Sequence, residues 1–313
     1  MRRRLFLGLS GVAAAGLAAW GLTRPPRLSD ADWQAAAAPI EPPARNLRVF
    51  HLGHSLTGRD MPAMLAQLAQ AAGFSDHDHA SQLGWGASLD QHWRGDVPGF
   101  EVENNHPLHR PARSAIAAGI DALIVTEMVE LRDAIRWHDS ARALADWALA
   151  ARAANPLARV YLYETWHPLD DPAGWLERID GDLPALWEAQ VVRPAMARGT
   201  GPIHLIPAGQ ALAAVVRAAE AGALPGLSAR QDLFARTPEG AVDPIHMGDL
   251  GAQIVALTHF ATLYHQSPEG LPHRLNRADG SAATPLPDAA AAEVQRLVWD
   301  AVSGYARSGV GRA

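Results

Sequence analysis

From residue 47 onward the chain alternates short runs of apolar, often β-branched residues with longer Ala-rich stretches whose apolar positions recur at helical spacing. A short apolar run has the length of a strand buried on both faces, and a longer stretch with apolar residues three and four apart has the period of a helix lying on such a sheet. This pattern predicts strands over 47–52, 122–126, 160–163 and 203–206, with a further strand over 79–83. It predicts helices over 62–72, 140–154, 183–197, 210–221 and 251–264, several followed by a breaker, and a last helix over 289–305 after a Pro-rich connection. Strands alternating with helices make a parallel sheet covered on both sides, so the expected fold class is α/β, a three-layer α/β/α sandwich with a central parallel sheet. Right-handed crossovers then leave the carboxyl ends of the strands on one edge, which gives residues just after strands a positional claim on chemistry. Residues 308–313 read as a loose end.

The first 46 residues break the alternation. Arg2, Arg3 and Arg4 precede an uncharged stretch rich in Ala and Gly, which makes 1–23 an export signal or an N-terminal anchor. Arg3-Arg4-Leu5-Phe6-Leu7 resembles the twin-arginine signal, whereas a Sec route would need only the positive charge. The stretch is about long enough to span a bilayer as a helix, but its small residues make it weakly hydrophobic and favour a cleaved signal. The expected location is therefore exported, periplasmic or otherwise extracytoplasmic, with membrane attachment through this segment only if it is retained. Residues 24–46, with their prolines and alanine run, read as a linker to a domain over 47–313.

Composition narrows the function. With 48% hydrophobic and 19% charged residues the chain is of globular type, and its formal charge of -6 supplies no basic field for phosphate backbones, so no nucleic-acid partner is expected. The absence of cysteine removes disulfides, thiolate metal sites, cysteine nucleophiles and a lipoprotein anchor.

Candidate chemistry stands at two ends of the domain. The first strand runs into Gly53-His54-Ser55-Leu56-Thr57 directly before a predicted helix, which puts a hydroxyl at the carboxyl edge of the sheet. The α/β-hydrolase elbow G-x-S-x-G would need glycine where Thr57 stands. Far along the chain comes Asp243-Pro244-Ile245-His246, in which a carboxylate three residues before an imidazole can fix its tautomer. Taken singly, Ser55 reads as a helix cap, Asp243 as a turn residue, and Gly84 and Gly86 as turn glycines. Serine first and Asp-x-x-His last is a more demanding pattern.

On these residues the chain resembles the SGNH (GDSL-like) hydrolases, in blocks from about Leu47 to Tyr264. GHSL stands where that family has its nucleophile block, with His54 in the place of Asp or Asn, and Asp243 with His246 matches its last block. The resemblance implies a flavodoxin-like SGNH fold and a serine esterase with Ser55 as nucleophile, His246 as base and Asp243 as its orienting partner. It gives an oxyanion amide to Gly86, within Gly84-Trp85-Gly86-Ala87-Ser88, with Gly84 as the alternative. The family's third block, G-x-N-D, is absent, and Thr126-Glu127-Met128 stands in its place. A bare Glu127 carboxylate would oppose the charge that catalysis creates, so Glu127 is expected to turn aside to an Arg or Lys, or else Thr126, Asn104 or Asn105 to supply the missing donor. His92, Trp166 and His167 are expected to line the pocket, and Trp85 and Trp166 can each be a sugar platform or core.

No cofactor and no metal is implied by this reading. Its expected partner is a small ester or acylated glycan. A metal-dependent hydrolase is the enzymatic rival, because fourteen histidines include His77, His79 and His106 beside Asp76 and Asp78, without a complete metal motif. The third class is a binding or assembly protein of the cell envelope that keeps the scaffold without turnover.

Overall fold

A computed structural model describes residues 27–44 and 46–311. The proposed export signal or anchor over 1–23 lies outside the described residues. Among those that are described, no helix is long and apolar enough to cross a membrane.

Five parallel strands form the centre: β1 (Arg48–His54), β2 (Asp78–Gly84), β3 (Ala122–Val125), β4 (Arg159–Glu164) and β5 (His204–Pro207), in the order β2-β1-β3-β4-β5. This is the flavodoxin-like order, and its switch point lies between β1 and β3. The strands are apolar on both faces because both faces are covered. Val49, Ile124, Tyr161, Tyr163 and Ile206 point into one core, and Phe50, Leu52, Leu123, Val125, Val160 and Leu162 into the other. The first core is closed by α1 (Asp60–Ala71), α2 (Ala208–Glu220), α3 (Asp249–Tyr264) and α4 (Asp288–Gly304). The second is closed by Ala112–Ala117, Ser140–Ala154 and the helical run from Leu183 to Met196. The three-layer α/β/α architecture is thus the one the hydrophobic pattern predicts.

The structure differs from expectation at the ends and in the polar stretches. Leu183–Val192 is wound as a π-helix rather than an α-helix. The linker expected over 24–46 is, from residue 27 onward, part of the packed body. Its helix Asp30–Ala35 buries Trp33 under the Arg307 guanidinium, and Arg159 holds the carbonyl of Glu41. The loose end expected over 308–313 is also docked as far as residue 311, because Val310 is buried beside Ala261 and Val302 and Gly309 accepts a bond from Ile40. A short antiparallel hairpin, β6 (Phe234–Arg236) with β7 (Val242–Met247), lies outside the main sheet.

The core carries buried ionisable groups whose shifts set a pH window. Burial pushes His54, His92 and His259 down to about 4, and pushes Glu127 and Glu164 up to about 7 and about 8. The histidine contribution is complete above their unfolded value near 6.5 and is lost as pH falls toward 4. The carboxyl contribution is present at low pH and lost as pH rises through about 7 to about 8. With these imidazoles, joined by His167, His204 and His265, also held down to about 4, outweighing two carboxyls on the acid side, the melting temperature is expected to peak near about pH 6.5 and to fall in both directions. A flat melting profile from pH 4.5 to 8 would contradict this.

Candidate active site

Ser55 stands in the turn that leaves β1, at the carboxyl edge of the sheet and at the switch point. The turn is closed by Thr57 N donating to His54 O at 2.9 Å, and Gly58 takes the positive φ (57°) that lets it reverse. The helix that follows does not start directly after the serine: α1 begins at Asp60, beyond Arg59. Gly53 is needed for packing, since a Cβ there would lie 2.7 Å from the Thr126 methyl.

The hairpin strand β7 brings the other two side chains. His246 Nε2 lies 3.0 Å from Ser55 Oγ, and its Nδ1 lies 3.0 Å from Asp243 Oδ2. Asp243 Oδ1 also accepts from the amides of His246 (2.7 Å) and Ile245 (2.8 Å), so the carboxylate is fixed by the backbone of the segment it serves. Burial pushes the Asp243 carboxyl up, but these amides and the imidazole outweigh it and hold it below its ordinary value. β7 is itself anchored by Trp166 Nε1 donating to Ile245 O (2.7 Å) and by Leu169 N donating to Pro244 O (2.6 Å). Trp166 lines the cavity that holds Ser55 and His246, as expected, but at 1% exposed it does so as scaffold and offers no open face for a sugar ring.

Cavities flank the pair on two sides. One of about 300 Å3 holds Ser55 and His246 against the start of α1 and Met247. The other, of about 360 Å3, reaches Gly86 and is walled by Leu56, Val129, Pro168 and Ile245. Gly86 is exposed, with a φ of 52° and nothing within 4 Å of where a Cβ would stand. Gly84 is instead buried in β2, where a Cβ would lie 2.4 Å from Val97, which makes it a packing glycine. Trp85 between them is 56% exposed, its ring against Gly99 and its Nε1 donating to Glu103.

Most other predicted pocket residues are engaged elsewhere. Thr126 Oγ1 donates to Tyr163 O at 2.8 Å. Asn104 is buried and pairs with both the amide and the carbonyl of Leu83. Asn105 is exposed and lies on the wall of a separate cavity. His92 donates from Nε2 to Gly53 O (2.8 Å) and accepts at Nδ1 from Gln82 (2.9 Å). His167 is buried under the loop after β4, 3.4 Å from Asp182, and lines neither cavity beside Ser55. Thr126, Asn104 and His92 share a cause: a buried polar side chain must satisfy its hydrogen bonds, and the backbone around the strand ends offers partners first.

Glu127 lines neither cavity beside Ser55, and its carboxyl faces backbone amides and not an Arg or Lys. Its Oε1 accepts from Leu89 N (3.1 Å) and Met128 N (2.8 Å), and so caps the helix Leu89–Arg94. Glu127→Ala would leave both amides unpaired and is expected to cost about 2 kcal/mol or more, measured by urea unfolding, without raising turnover on any ester. Unchanged stability would contradict this structural role.

His54 is the site residue that sequence reasoning undervalued. It is 1% exposed, donates from Nε2 to Glu127 O (2.8 Å) and accepts at Nδ1 from Leu56 N (3.3 Å). Those partners fix a neutral tautomer that ties the serine turn to the end of β3. His54 and His92 thus brace the backbone on either side of Ser55. The only sequence signal was a histidine beside the serine.

Among the described residues no group of three or more His, Asp or Glu side chains is placed to hold a metal ion. No protein-family model and no curated protein matches the chain. Among solved structures, a candidate GDSL-like lipase from Parabacteroides merdae is similar over 71% of this chain and 96% of its own, at 14% identity and a TM-score of 0.44. A gut microbial diltiazem-metabolizing enzyme is similar over 72% of this chain and 49% of its own, at 15% identity and a TM-score of 0.40.

Proposed function

We propose that this protein is a serine esterase of the SGNH type, with Ser55 as nucleophile, His246 as general base and acid, and Asp243 as the group that orients the imidazole. The observation that carries this reading is the hydrogen-bond chain from Ser55 Oγ to His246 Nε2 (3.0 Å) and from His246 Nδ1 to Asp243 (3.0 Å), made by side chains 191 residues apart. A satisfied surface histidine has no reason to meet a strand-end serine at that separation, whereas acyl transfer needs that contact.

In this mechanism His246 Nε2 takes the Ser55 proton as Oγ attacks the ester carbonyl carbon. The amides of Ser55 and Gly86 stabilise the oxyanion; among the described residues neither donates to a backbone carbonyl. His246 then returns the proton to the leaving alcohol, and water, activated by the same imidazole, releases the acid. The side chains of Thr126, Glu127 and Asn104 are engaged elsewhere, so this oxyanion hole rests on backbone amides alone. Removing one oxyanion donor costs about a hundred- to a thousandfold, which makes slow turnover of simple esters the expectation here. O-deacetylation of a glycan by an exported enzyme is the narrower form of the proposal. Hydrolysis of 4-nitrophenyl acetate by the wild type, and its loss in folded Ser55→Ala protein, tests the reading; equal turnover by the two proteins would overturn it.

A further inference from the structure

Two cavities lie side by side over the second core. One, of about 350 Å3, is walled by the ends of the helices Leu89–Arg94 and Ala112–Ala117, and the other, of about 410 Å3, by Ala112–Ala117 and Ser140–Ala154. They share Trp93, Arg113 and Trp147, so together they form one groove crossed by a single guanidinium. Ser55, Asp243 and His246 line neither. Each volume falls within the range of small-molecule sites.

The walls are apolar. Trp93, Val97, Phe100, Pro111 and Ala112 line the first cavity, and Ile116, Ala117, Ala150, Ala153 and Ala154 the second. The two buried polar side chains of the first are already paired. Gln82 donates to His92 Nδ1 (2.9 Å) and accepts from Ala112 N (2.8 Å), and His92 Nε2 donates to Gly53 O (2.8 Å). Burial holds the His92 imidazole down to about 4, in its neutral form. Among the described residues no carboxylate lines either cavity, and two arginines do. Arg94 is met by Asp90 (3.3 Å) and Asp96 (3.2 Å). Arg113 is not: its guanidinium carbon stands 4.1 Å from the centre of the Trp93 ring and 5.8 Å from that of Trp147, and its Nη2 donates to Trp93 O at 2.7 Å. Among the described residues it has no carboxylate partner. The ring and the carbonyl fix this cation in place and leave its other N–H groups open.

A fixed cation without a counter-charge, set in aromatic and alkyl surface, is complementary to an anion that carries an apolar body. A bare inorganic anion would gain nothing from Phe100 or Ile116. A polyhydroxylated ligand would find few open hydrogen-bond partners on such walls. A neutral apolar molecule would cover the open N–H groups of Arg113 without replacing their water. We propose that this groove binds an amphipathic carboxylate, its head on Arg113 and its alkyl or aryl body along Trp93 into the two cavities. The site stands apart from Ser55 and does not depend on the esterase reading.

The test is direct binding by isothermal titration calorimetry. Octanoate and 2-naphthoate are titrated into the wild type, with acetate, which lacks the apolar body, and 2-naphthalenemethanol, which lacks the charge, as controls. At least one of the two acids is expected to bind about tenfold or more tightly than either control, and to bind more weakly as salt is raised. Arg113→Gln removes the cation, and Ala153→Trp fills the second cavity; both positions are exposed. Each variant is expected to weaken binding of that acid about tenfold or more, with an unchanged circular dichroism spectrum. The two substitutions lie on different helices, so a folding defect in one leaves the other to decide. No binding of either acid by the wild type, binding of the neutral alcohol as tight as that of the acid, or binding that either folded variant leaves unchanged would overturn the inference.

Discussion

Replacement of His246 by alanine is expected to lower ester turnover by about four orders of magnitude or more, with the fold intact, because no other group can take the Ser55 proton. His246 is 44% exposed, and the neighbours of its ring are Ser55 and Asp243, so its removal leaves little unsatisfied in the core. Asp243→Asn is expected to lose less. An asparagine oxygen can still accept from the amides of Ile245 and His246, so the segment keeps its shape. What is lost is the charge that stabilises the imidazolium and selects its tautomer. Steady-state rates on 4-nitrophenyl acetate, with circular dichroism as the control for folding, should rank wild type above Asp243→Asn and Asp243→Asn above His246→Ala. A His246→Ala protein with wild-type turnover would remove the base from the mechanism.

The second large effect is on stability. Arg178, 4% exposed, donates to Asp182 (2.7 Å), Asp171 (2.6 Å) and Glu130 (2.9 Å), and so ties the loop after β4 and the segment after β3 to the helix Trp175–Asp182. These loops carry Val129 and Pro168 on the wall beside Ser55. Arg178→Ala would leave Asp171 without its guanidinium, and Asp182 and Glu130 with only the half-exposed Arg132, at 3.6 Å and 4.0 Å. Breaking a buried charge set in this way typically costs about 3–5 kcal/mol, and a loss of that order is expected in urea unfolding. Arg178→Lys is not a remedy, because a single ammonium cannot reach three partners in the plane that the guanidinium spans. A loss below about 1 kcal/mol would mean that solvent already screens the cluster.

The central sheet was legible in the sequence because each strand is an apolar run buried on two faces, and a run such as Leu123 to Val125 has no competing reading. The helix Ser140–Ala154 matches its predicted bounds because its apolar stripe is regular from end to end. The hairpin β6–β7 was not legible: Val242–Met247 contains a proline and no period of two, and it is a strand because Trp166 and Leu169 hold its carbonyls. The docked ends were missed for a related reason. Trp33 and Val310 are each a lone large apolar residue among small or polar neighbours, and only the surface that receives them makes them core.

At the site, order along the chain was informative and residue type alone was not. Ser55, Asp243 and His246 meet, whereas Thr126, Asn104 and His92, chosen as polar residues near strand ends, are engaged with the surrounding protein, and His167 is buried away from the serine. Strand ends are crowded with unpaired amides and carbonyls, and a polar side chain placed there is more often used to satisfy them than to face a ligand. His54 belongs to the same class, yet its carbonyl and amide partners lie on either side of the serine turn, so a backbone brace becomes part of the site.

The most direct measurement is covalent labelling with an alkyl fluorophosphonate, which reacts only with an activated hydroxyl, followed by intact-mass and peptide mapping. The proposed mechanism predicts a single adduct on Ser55 in the wild type, no adduct in Ser55→Ala, and labelling of His246→Ala slowed by about two orders of magnitude or more. An adduct on another residue, or labelling of Ser55→Ala at the wild-type rate, would contradict it.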